Sequence, residues 1–497
     1  MSQQIPAERA EDLSIDGDWE GLFINGEWRA PADREREAVL NPATGEELAT
    51  VVKGTREDVD EAYDAAEAAQ KEWANTSPKE RAKVVRKVAS LAEDHPDEIR
   101  EIIAAETGGA RPKQDIEYGG TVTFVYDAAQ FAFRVSGKHN QSKIPGKENV
   151  IKREPAGVVG VITPWNVPLK LSIRVVAPAI ALGNAVVLKP AMETPIAGGL
   201  LIARLFEKAG LPPGVLNVVT GDGSVVGDRL SAHPASNVVA FTGSTHVGKL
   251  VAQNAIDHFA LPALELGGNN AHVVLEDADV DRAVDAGTFG SFWHQGQVCI
   301  SINRHLVHES IYDEYAEKLT KRAKSLKIGD PRDDENDFGP IINEEQRDEI
   351  VEYIERTVEE GATLETGGDY DDLFLEPTVL TNVTNDMAAA CNEHFGPVAP
   401  IIPFSTDDEA VELANDTEYG LAGSVHSTDV QRAQLVADRI DAGMIHINDQ
   451  TVNAEPAAPF GGMKSSGIGR YNSDWIINEL TESKWTSIQR QPREYHF

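Results

Sequence analysis

The sequence predicts an α/β fold, and two observations support this prediction. Short, β-branched apolar runs alternate with helical stretches through the middle of the chain, and amphipathic helical segments precede them. Continuous apolar strands between helices are typical of a parallel sheet that is buried on both faces, in the doubly wound arrangement that often binds a nucleotide. The chain has 497 residues, which at roughly 100 to 200 residues per domain allows roughly two to four domains.

The elements follow in order along the chain. Residues 58 to about 134 predict a helical layer, with amphipathic patterns over 58–75 and 79–94 and breaks at Pro96 and Gly108. The polar, Gly- and Pro-containing stretch 137–154 predicts an excursion such as a hairpin. Short strands are then predicted at 157–163, 185–188, 216–219, 238–241 and 271–275. A second α/β region begins after about Leu266, with helices near 279–292, 311–326 and 344–360 and strands up to 445–448.

Composition excludes several classes of protein. The 45 basic and 81 acidic residues give a net charge of −36, which repels the phosphates of nucleic acids. No run of about 18 uncharged apolar residues occurs, so we expect no membrane span. The first twenty or so residues lack the basic start and apolar stretch of a secretory signal, and we therefore predict a cytoplasmic protein.

The acidic residues lie in short clusters along the chain, such as 57–61, 333–337 and 407–409. This pattern favours a solvated acidic coat, which concentrated counterions screen, and it predicts a protein from a high-salt organism. We expect the melting temperature to rise with KCl concentration. A flat or falling curve would contradict the halophilic interpretation.

Two residues stand out as candidates for chemistry. Cys299 is one of only two cysteines, too few for a disulfide framework or a sulfur-rich zinc site, and it follows a predicted helix in a Gly-containing turn. It is either a reactive thiol or a buried structural one. Glu265 lies between two leucines before a double glycine. A desolvated glutamate there would have a raised pKa and could act as a general base, whereas the alternative is a surface turn.

Nine short segments, two of which contain Glu265 and Cys299, together resemble the motifs of a known family and occur in the same order as in that family. They are FINGEW (23–28), NPATGE (41–46), PWN (164–166), LKP (188–190), FTGST (241–245), LELGG (264–268), GQVC (296–299), FGPV (395–398) and PFGGMKSSG (459–467). With these segments, the chain resembles the NAD(P)-dependent aldehyde dehydrogenase superfamily over nearly its whole length. The resemblance implies a Rossmann-like cofactor domain, an α/β catalytic domain and a small β oligomerisation arm.

The resemblance also implies a mechanism. Cys299 matches the nucleophile that attacks the aldehyde carbonyl and gives a thiohemiacetal and then a thioester. Asn166 matches the amide that, with the backbone N–H of the cysteine, stabilises the negative oxygen. Glu265 matches the base that activates water, and its presence favours a free carboxylic acid as the product.

The cofactor implied by the resemblance is NAD or NADP, bound without the G-x-G-x-x-G fingerprint of ordinary dinucleotide domains. Lys189 matches the contact to the adenosine ribose, and Glu393 matches the contact to the nicotinamide ribose. Residues 243–248 open a helix that can receive a pyrophosphate, although such a turn is also a common helix cap. The predicted cofactor-binding residues are Ile162, Thr163, Pro164, Trp165, Lys189, Gly243, Ser244, Gly248, Leu266, Glu393 and Phe395.

The chain departs from the family pattern at two positions. Met192 stands where many NAD-preferring members have a glutamate that accepts from the ribose 2′-hydroxyl and repels a 2′-phosphate. The adjacent Glu193 is expected to point the other way, so the sequence leaves the preference between NAD and NADP open and allows the use of both. Asn392 replaces a further glutamate before Glu393, and we attach no mechanism to it.

The segments around 294–297, 447–453 and 469–472 resemble the benzaldehyde and vanillin dehydrogenase branch. An aromatic aldehyde is therefore the predicted substrate, with Trp165, Trp293 and Phe460 as pocket walls or, alternatively, core residues. The implied domains are 1–135 with 155–266 for the cofactor, 267–480 for catalysis, and 136–154 with 481–497 as the arm. The arm predicts a homodimer or homotetramer, since an exposed strand edge favours pairing.

Three alternatives remain from the sequence. An aliphatic or semialdehyde dehydrogenase would keep the fold and bind a substrate carboxylate through Arg or Ser. A catalytically silent structural or binding protein would have no chemical need for Cys299, Glu265, Asn166 and Lys189 together. A metal-dependent hydrolase is disfavoured because the 13 histidines show no ligand spacing of a known metal motif, and no metal site is predicted.

Overall fold

Two large sheets and one small sheet organise the protein in a computed structural model, which describes residues 13–496. Residues 1–12 and 497, at the ends of the predicted ranges 1–135 and 481–497, lie outside the described residues. Within residues 13–496, no helix is both long enough and apolar enough to cross a membrane.

The first sheet has eight strands, and its five central strands are parallel. In spatial order the strands are Glu27–Arg29, Leu22–Ile24, Leu216–Val218, Ala185–Lys189, Val158–Ile162, Val238–Thr242, Leu261–Glu265 and Gly467–Ile468. The central strands are apolar and buried, as the sequence predicts. The order of strands reverses between Val158–Ile162 and Val238–Thr242, so the loops after these two strands diverge and leave a crevice where α/β sheets bind ligands.

Helices cover this sheet. The predicted helical layer consists of Arg56–Asn75, Pro78–Asp94, Pro96–Thr107 and Arg111–Arg134. Thr55 and Asp58 form a capping box at the first helix, and Gly108, with φ of 66°, ends the third. The other helices on this side are Pro168–Leu182, Leu201–Lys208, Asp228–Ser231 and Thr245–Ile256, with single π turns at Ile196–Leu200 and Gly223–Gly227.

The second sheet has seven strands and forms the other α/β unit. Its spatial order is Thr363–Thr366, Thr378–Thr381, Val398–Phe404, Ile302–His308, Asn270–Val274, Ala422–His426 and Met444–Ile447. Its helices are Val280–Phe292, Tyr312–Ser325, Glu344–Glu359, Ala388–Cys391, Asp407–Asn415 and Val430–Ala437. The α/β fold predicted from the sequence is confirmed.

The chain returns to the first sheet near its end. Strand Gly467–Ile468 pairs antiparallel with Leu261–Glu265, and helix Ser473–Glu479 buries Ile476 in the apolar core of the first unit. The division of the chain into domains at the predicted boundaries stays a prediction.

The small sheet has three antiparallel strands, Lys138–Gln141, Lys147–Pro155 and Thr481–Gln489. It joins the predicted hairpin to the C-terminal strand, and Trp485 on its outer strand is exposed. Two further strand pairs are Arg36–Leu40 with Glu47–Val52 and Tyr370–Asp371 with Phe374–Leu375.

Three buried histidines lie side by side in the second sheet and predict a pH-dependent stability. His272, His305 and His426 come from adjacent strands, and the rings of His272 and His426 are 4.6 Å apart. Burial lowers the pKa of His305 to about 3 and that of His426 to about 4. In the unfolded chain a histidine pKa is about 6.5, so unfolding takes up protons below that pH. We expect the melting temperature to fall as the pH drops from about 6.5 towards 4.

The many surface carboxylates also titrate in acid, so this prediction needs a matched pair of variants. His426→Gln removes one buried titrating ring and should flatten the acid slope of the melting temperature. His139→Gln, which changes an exposed histidine on the arm, should leave the slope unchanged. Equal slopes in both variants would contradict the assignment to the buried cluster.

Candidate active site

A cavity of about 330 Å³ lies at the crevice of the first sheet and extends to residues of the second unit. It collects side chains that are far apart in the sequence, because the carboxyl ends of several strands meet there. The predicted site residues that line it are Pro164, Trp165, Asn166, Gly243, Ser244, Glu265, Leu266, Cys299, Glu393 and Phe395.

Cys299 follows a turn of unusual backbone conformation. After helix Val280–Phe292, His294 and Gln295 have φ of 50° and 57°, a region that non-glycine residues seldom adopt. The side chain of Gln295 holds the turn by donating to the carbonyls of Gly108 and Pro340, at 2.8 and 2.9 Å. Gly296 is at φ of 70°, and a Cβ there would lie 2.1 Å from the carbonyl oxygen of Gly396, so only glycine fits. Contacts with segments that are distant in the chain therefore fix the conformation of the turn before Cys299.

The thiol of Cys299 is half-buried and lines the cavity. The backbone carbonyl oxygen of Cys299 accepts a hydrogen bond of 2.9 Å from the side-chain amide of Asn270, which fixes the backbone at this residue. Burial, together with the nearby negative charge of Glu393, raises the pKa of the thiol to about 12. In this state Cys299 is a thiol, and a base is needed to make it a nucleophile.

Asn166 points its amide at the cysteine turn. It is 3% exposed, and its Nδ2 atom donates a hydrogen bond of 2.8 Å to the carbonyl of Gln297. An amide nitrogen carries two N–H donors, so one is left for a further acceptor in the cavity. The residue thus meets the chemical requirement for stabilising a negative oxygen next to Cys299.

Glu265 ends strand Leu261–Glu265 and is 2% exposed. Neither carboxylate oxygen has a hydrogen-bond partner among residues 13–496. Burial raises the pKa of this carboxyl to about 8, against the opposing charges of Arg174 and Arg470. A carboxyl with this pKa can accept and release protons near neutral pH, which suits a general base.

Glu393 lines the same cavity and lies against the double glycine that follows Glu265. Its Oε1 atom accepts a hydrogen bond of 2.9 Å from the backbone N–H of Gly268. A Cβ at Gly267 would lie 2.0 Å from Oε2, so the close approach requires glycine. Burial raises the pKa of Glu393 to about 7.

A second cavity of about 470 Å³ lies beside Lys189 and is mostly apolar in its lining. Ile162 and Lys189 line it, and the Lys189 ammonium donates 2.9 Å to the carbonyl of Pro190. Burial lowers the pKa of Lys189 to about 8. Ser244, which caps helix Thr245–Ile256, lines the first cavity, and Val247 in the first turn of the same helix lines the second, so the start of the helix contributes to both.

The chain matches a family of known proteins over most of its length. The aldehyde dehydrogenase family profile matches residues 28–486. The chain belongs to this family.

Individual relatives agree over nearly the whole length. A benzaldehyde dehydrogenase of Bacillus subtilis is 46% identical, covering 96% of this chain and 98% of that protein. A vanillin dehydrogenase of Corynebacterium glutamicum is 44% identical, covering 94% and 97%. A crystal structure of betaine aldehyde dehydrogenase from Staphylococcus aureus in complex with NAD⁺ has a TM-score of 0.94 at 36% identity, covering 98% of each chain. The prediction of an NAD(P)-dependent enzyme of the aldehyde dehydrogenase family is confirmed.

The remaining predicted residues lie behind the cavity walls of this family member. Trp293 and Phe460 are buried in an apolar cluster against which Cys299 packs. Gly248 supports Leu266, since a Cβ there would lie 2.3 Å from a methyl group of Leu266. Thr163 hydrogen bonds through its hydroxyl to Ser172, at 2.8 Å. These four residues contribute to the site through packing rather than as lining residues.

Met192 does not line either cavity. Its sulfur accepts a hydrogen bond of 3.0 Å from the backbone N–H of Gly221, and Glu193 is exposed. Asp228 does line the Lys189 cavity, but its carboxylate is bound to Arg56 at 2.7 Å and to Asn254 at 3.2 Å.

Sequence reasoning missed a group of buried charges behind the site. Lys113 and Glu117 form an ion pair of 2.5 Å and are at most 1% exposed. Glu117 accepts from the backbone N–H of Leu169, at 2.8 Å, just after Asn166. Glu106 accepts from the N–H groups of Ile196 and Ala197. The i, i+4 spacing of Lys113 and Glu117 resembles that of any surface helix, so it does not predict their burial.

The cavity that contains Cys299 also has lining residues that the sequence analysis did not assign to the site. They are Leu171, Thr242, Thr245, His246, Gly267, Gln346, Glu349, Tyr353, Asn392 and Tyr419. Gln346, Glu349 and Tyr353 share one face of helix Glu344–Glu359, a spacing visible in the sequence, but only the packed structure shows that this face meets the cavity.

Proposed function

We propose that the protein oxidises an aromatic aldehyde to the carboxylic acid, using NAD(P)⁺ and water, with Cys299 as the nucleophile. The observation that supports this most directly is the cavity in which Cys299, Asn166 and Glu265 meet. A thiol, an amide donor and a buried carboxyl with a raised pKa are the groups that acyl transfer through a thioester requires.

The first step is addition to the carbonyl. The sulfur of Cys299 forms a bond to the aldehyde carbon, and the carbonyl oxygen becomes negative. The free N–H of Asn166 donates to that oxygen, an interaction that is typically worth about 3 kcal/mol in the transition state. The thiol proton passes to the carboxylate of Glu265, which interacts electrostatically with Cys299.

The residues present fit a dinucleotide between the two cavities. Lys189 would hold the adenosine ribose, the capped helix start at Ser244 would receive the pyrophosphate, and Glu393 would hold the nicotinamide ribose. When bound, NAD(P)⁺ supplies the acceptor for the hydride that leaves the tetrahedral carbon.

Hydrolysis of the thioester completes the reaction. Glu265, again ionised, takes a proton from water as the water oxygen adds to the acyl carbon. The bond between this carbon and sulfur then breaks, the acid leaves and Cys299 regains its proton. The net reaction is aldehyde, NAD(P)⁺ and water giving acid, NAD(P)H and a proton.

Two observations support an aromatic substrate. Trp165 and Phe395 both line the cavity, with their rings 5.6 Å apart and edge to face. Flat apolar surfaces of this kind suit an aromatic ring. Relatives that are 44 to 46% identical over nearly the whole chain are named for benzaldehyde and vanillin.

The test is the formation of reduced cofactor in molar KCl with benzaldehyde, vanillin and a short aliphatic aldehyde, each with NAD⁺ and NADP⁺. We expect the highest kcat/KM with an aromatic aldehyde. Activity on the aliphatic aldehyde alone would overturn the aromatic assignment and keep the chemistry. Inactivity on every aldehyde would favour the silent structural or binding protein.

The choice of cofactor gives a separate prediction. Because Met192 offers no carboxylate to the adenosine ribose, we propose that both NAD⁺ and NADP⁺ are used. Met192→Glu should lower kcat/KM for NADP⁺ by about tenfold or more, since a carboxylate repels the 2′-phosphate, and change kcat/KM for NAD⁺ far less. Met192→Gln, which has the same shape without the charge, is the control. If the ratio of kcat/KM for NADP⁺ to kcat/KM for NAD⁺ is the same in Met192→Glu and Met192→Gln, the electrostatic explanation is contradicted.

We also propose that the protein is a homodimer or homotetramer. The arm strand Thr481–Gln489 exposes Trp485, and Phe259, at 95% exposure, stands out next to helix Thr245–Ile256. Exposed aromatic side chains on strand edges and helix ends are typical of surfaces that pair with a second copy. Light scattering on the eluted protein in molar KCl should give a mass of two or four chains, and a monomer would overturn the proposal.

A further inference from the structure

Glu117 is a buried carboxylate that binds the start of a second helix. It lies in helix Arg111–Arg134, and its Oε1 atom accepts hydrogen bonds from the backbone N–H groups of Leu169, at 2.8 Å, and Lys170, at 3.3 Å. These N–H groups belong to the first turn of helix Pro168–Leu182, where no carbonyl of the same helix can accept from them. This helix has no side-chain cap of its own, so Glu117 takes the place of one.

The charge of this carboxylate is balanced inside the protein. Its Oε2 atom lies 2.5 Å from the Lys113 ammonium, which also donates to the hydroxyl of Thr107 at 2.9 Å. An anion at a helix start is stabilised by the helix dipole, and its hydrogen bonds are stronger than those between neutral groups. The ion pair therefore holds the start of helix Pro168–Leu182 more firmly than a neutral cap would.

The start of this helix bears on the position of Asn166. Asn166 precedes Leu169 by three residues, in an irregular segment between strand Val158–Ile162 and the helix. Its Nδ2 atom donates to the carbonyl of Gln297, whereas its Oδ1 atom has no hydrogen-bond partner among residues 13–496. Because Oδ1 adds no further hydrogen bond, the direction of the amide depends on the backbone of its segment. That backbone is anchored by the strand at one end and by the capped helix at the other.

We infer that Glu117 is a positioning residue for the oxidation of the aldehyde: by binding the first N–H groups of helix Pro168–Leu182, it holds the amide of Asn166 where it meets the oxygen that becomes negative. This inference rests on the proposed function and adds a residue to its first step. Glu117 lines neither of the two cavities described above, so it acts through Asn166 and does not touch the substrate. Misplacing a catalytic group by about 1 Å can lower the rate by about a hundredfold, so a loosened helix start should be visible in kcat.

Two other roles of Glu117 would not involve Asn166. It could serve only to balance the charge of Lys113, or it could serve only to stabilise the fold as a cap. A variant that leaves Lys113 buried without its partner would mix these roles, because an unpaired buried charge is itself destabilising. The test therefore compares two variants in which both charges are absent.

Lys113→Met/Glu117→Gln keeps an oxygen that can accept from the helix start, whereas Lys113→Met/Glu117→Met has no such acceptor. The measurement is kcat and KM for an aromatic aldehyde in molar KCl. We expect the first variant to stay within about threefold of wild type in kcat. The second should lose about tenfold or more in kcat with little change in KM, because the donor of Asn166 acts in the transition state. Equal kcat values in the two variants would reduce the role of Glu117 to balancing Lys113 and would overturn the inference.

A double-mutant cycle separates positioning from stability. Lys113→Met/Glu117→Met is combined with Asn166→Ala, and we expect it to lower kcat by less than about twofold further in that background. Glu106→Met is the matched control, because Glu106 is another buried carboxylate that accepts from N–H groups at the start of a helical segment, the π turn Ile196–Leu200. It should change kcat by the same factor with and without Asn166→Ala.

An equal factor for Lys113→Met/Glu117→Met in both backgrounds would overturn the inference, since its effect would then not pass through Asn166. If this variant fails to fold, the same cycle is measured with Glu117→Asp. The shorter side chain withdraws the carboxylate from the helix start and keeps the charge beside Lys113. We expect the same loss of kcat and the same dependence on Asn166.

Failure of the proposed function looks different. If no aldehyde is oxidised, the cycle is measured with 4-nitrophenyl acetate, an activated ester whose carbonyl Cys299 can attack without a hydride acceptor. Coupling between Glu117 and Asn166 on the ester would refute the oxidation and retain the positioning role. Additive effects in an enzyme that oxidises aldehydes would refute the positioning role alone. Inactivity on aldehydes and ester alike would refute both, since Asn166 would then stabilise no negative oxygen.

Discussion

Cys299→Ala is expected to abolish aldehyde oxidation, with a fall in kcat of at least about ten-thousand-fold. The thiol lines the same cavity as Asn166 and Glu265, and an alanine methyl group cannot form the bond to the acyl carbon. The measurement is the initial rate of NAD(P)H formation with an aromatic aldehyde. Folding of the variant is checked by its melting temperature in molar KCl.

Cys391→Ala is the matched control, since Cys391 is the other thiol of the chain. It is exposed at the end of the short helix Ala388–Cys391 and does not line the cavity. We expect this variant to keep the activity of wild type. Residual turnover of more than about one per cent in Cys299→Ala would mean that the thiol is not the nucleophile and would refute the covalent mechanism.

Glu265→Gln is expected to lower kcat by about a hundred- to ten-thousand-fold, the usual range for a lost general base. Glutamine keeps the shape of the side chain but cannot take a proton. If hydrolysis is the step that needs the carboxylate most, the variant should release up to one equivalent of NAD(P)H in a burst and then stall as the thioester. Glu479→Gln is the control, because this neighbouring carboxyl accepts from the backbone N–H of Arg470 and does not line the cavity.

The pH dependence tests the same residue. The pKa of Glu265 is raised to about 8 by burial, and the ionised form is the active base. In wild type, kcat should therefore rise as the pH increases through about 8 and decline below it, because protonation removes the base. The rising limb should be missing in Glu265→Gln. A wild-type kcat that is flat across this range, or an unchanged limb in the variant, would assign the titration to another group.

Much of the site was predictable because its chemistry is local. Cys299, Glu265 and Asn166 each lie in a short segment at the end of a strand or helix, and the ends of parallel strands converge at one edge of the sheet. The same holds for the glycines at 267 and 296, where a Cβ would collide with Glu393 or with the backbone of Gly396. In these places a residue type is dictated by its immediate neighbours and can be recognised as a motif.

The buried charges were not predictable. Lys113, Glu117 and Arg174 lie on helices whose spacing also fits a solvated face, and their burial depends on segments far away in the chain. Whether a charge ends in water or in the core is decided by tertiary packing, since Glu117 also accepts hydrogen bonds from the backbone N–H groups of Leu169 and Lys170, which are more than 50 residues away in the chain.

The sequence by itself determined the α/β fold class, the aldehyde dehydrogenase family and the identity of the candidate catalytic residues, because strand periodicity and short motifs are properties of neighbouring residues. Only the tertiary structure decided which of these groups share a cavity, how far burial moves the pKa values of Cys299 and Glu265, and that the Nε and Nη2 atoms of Arg174 have no hydrogen-bond partner among residues 13–496. The physical reason is that desolvation and long-range contacts depend on every element packed around a group, and the order of residues along the chain does not record them.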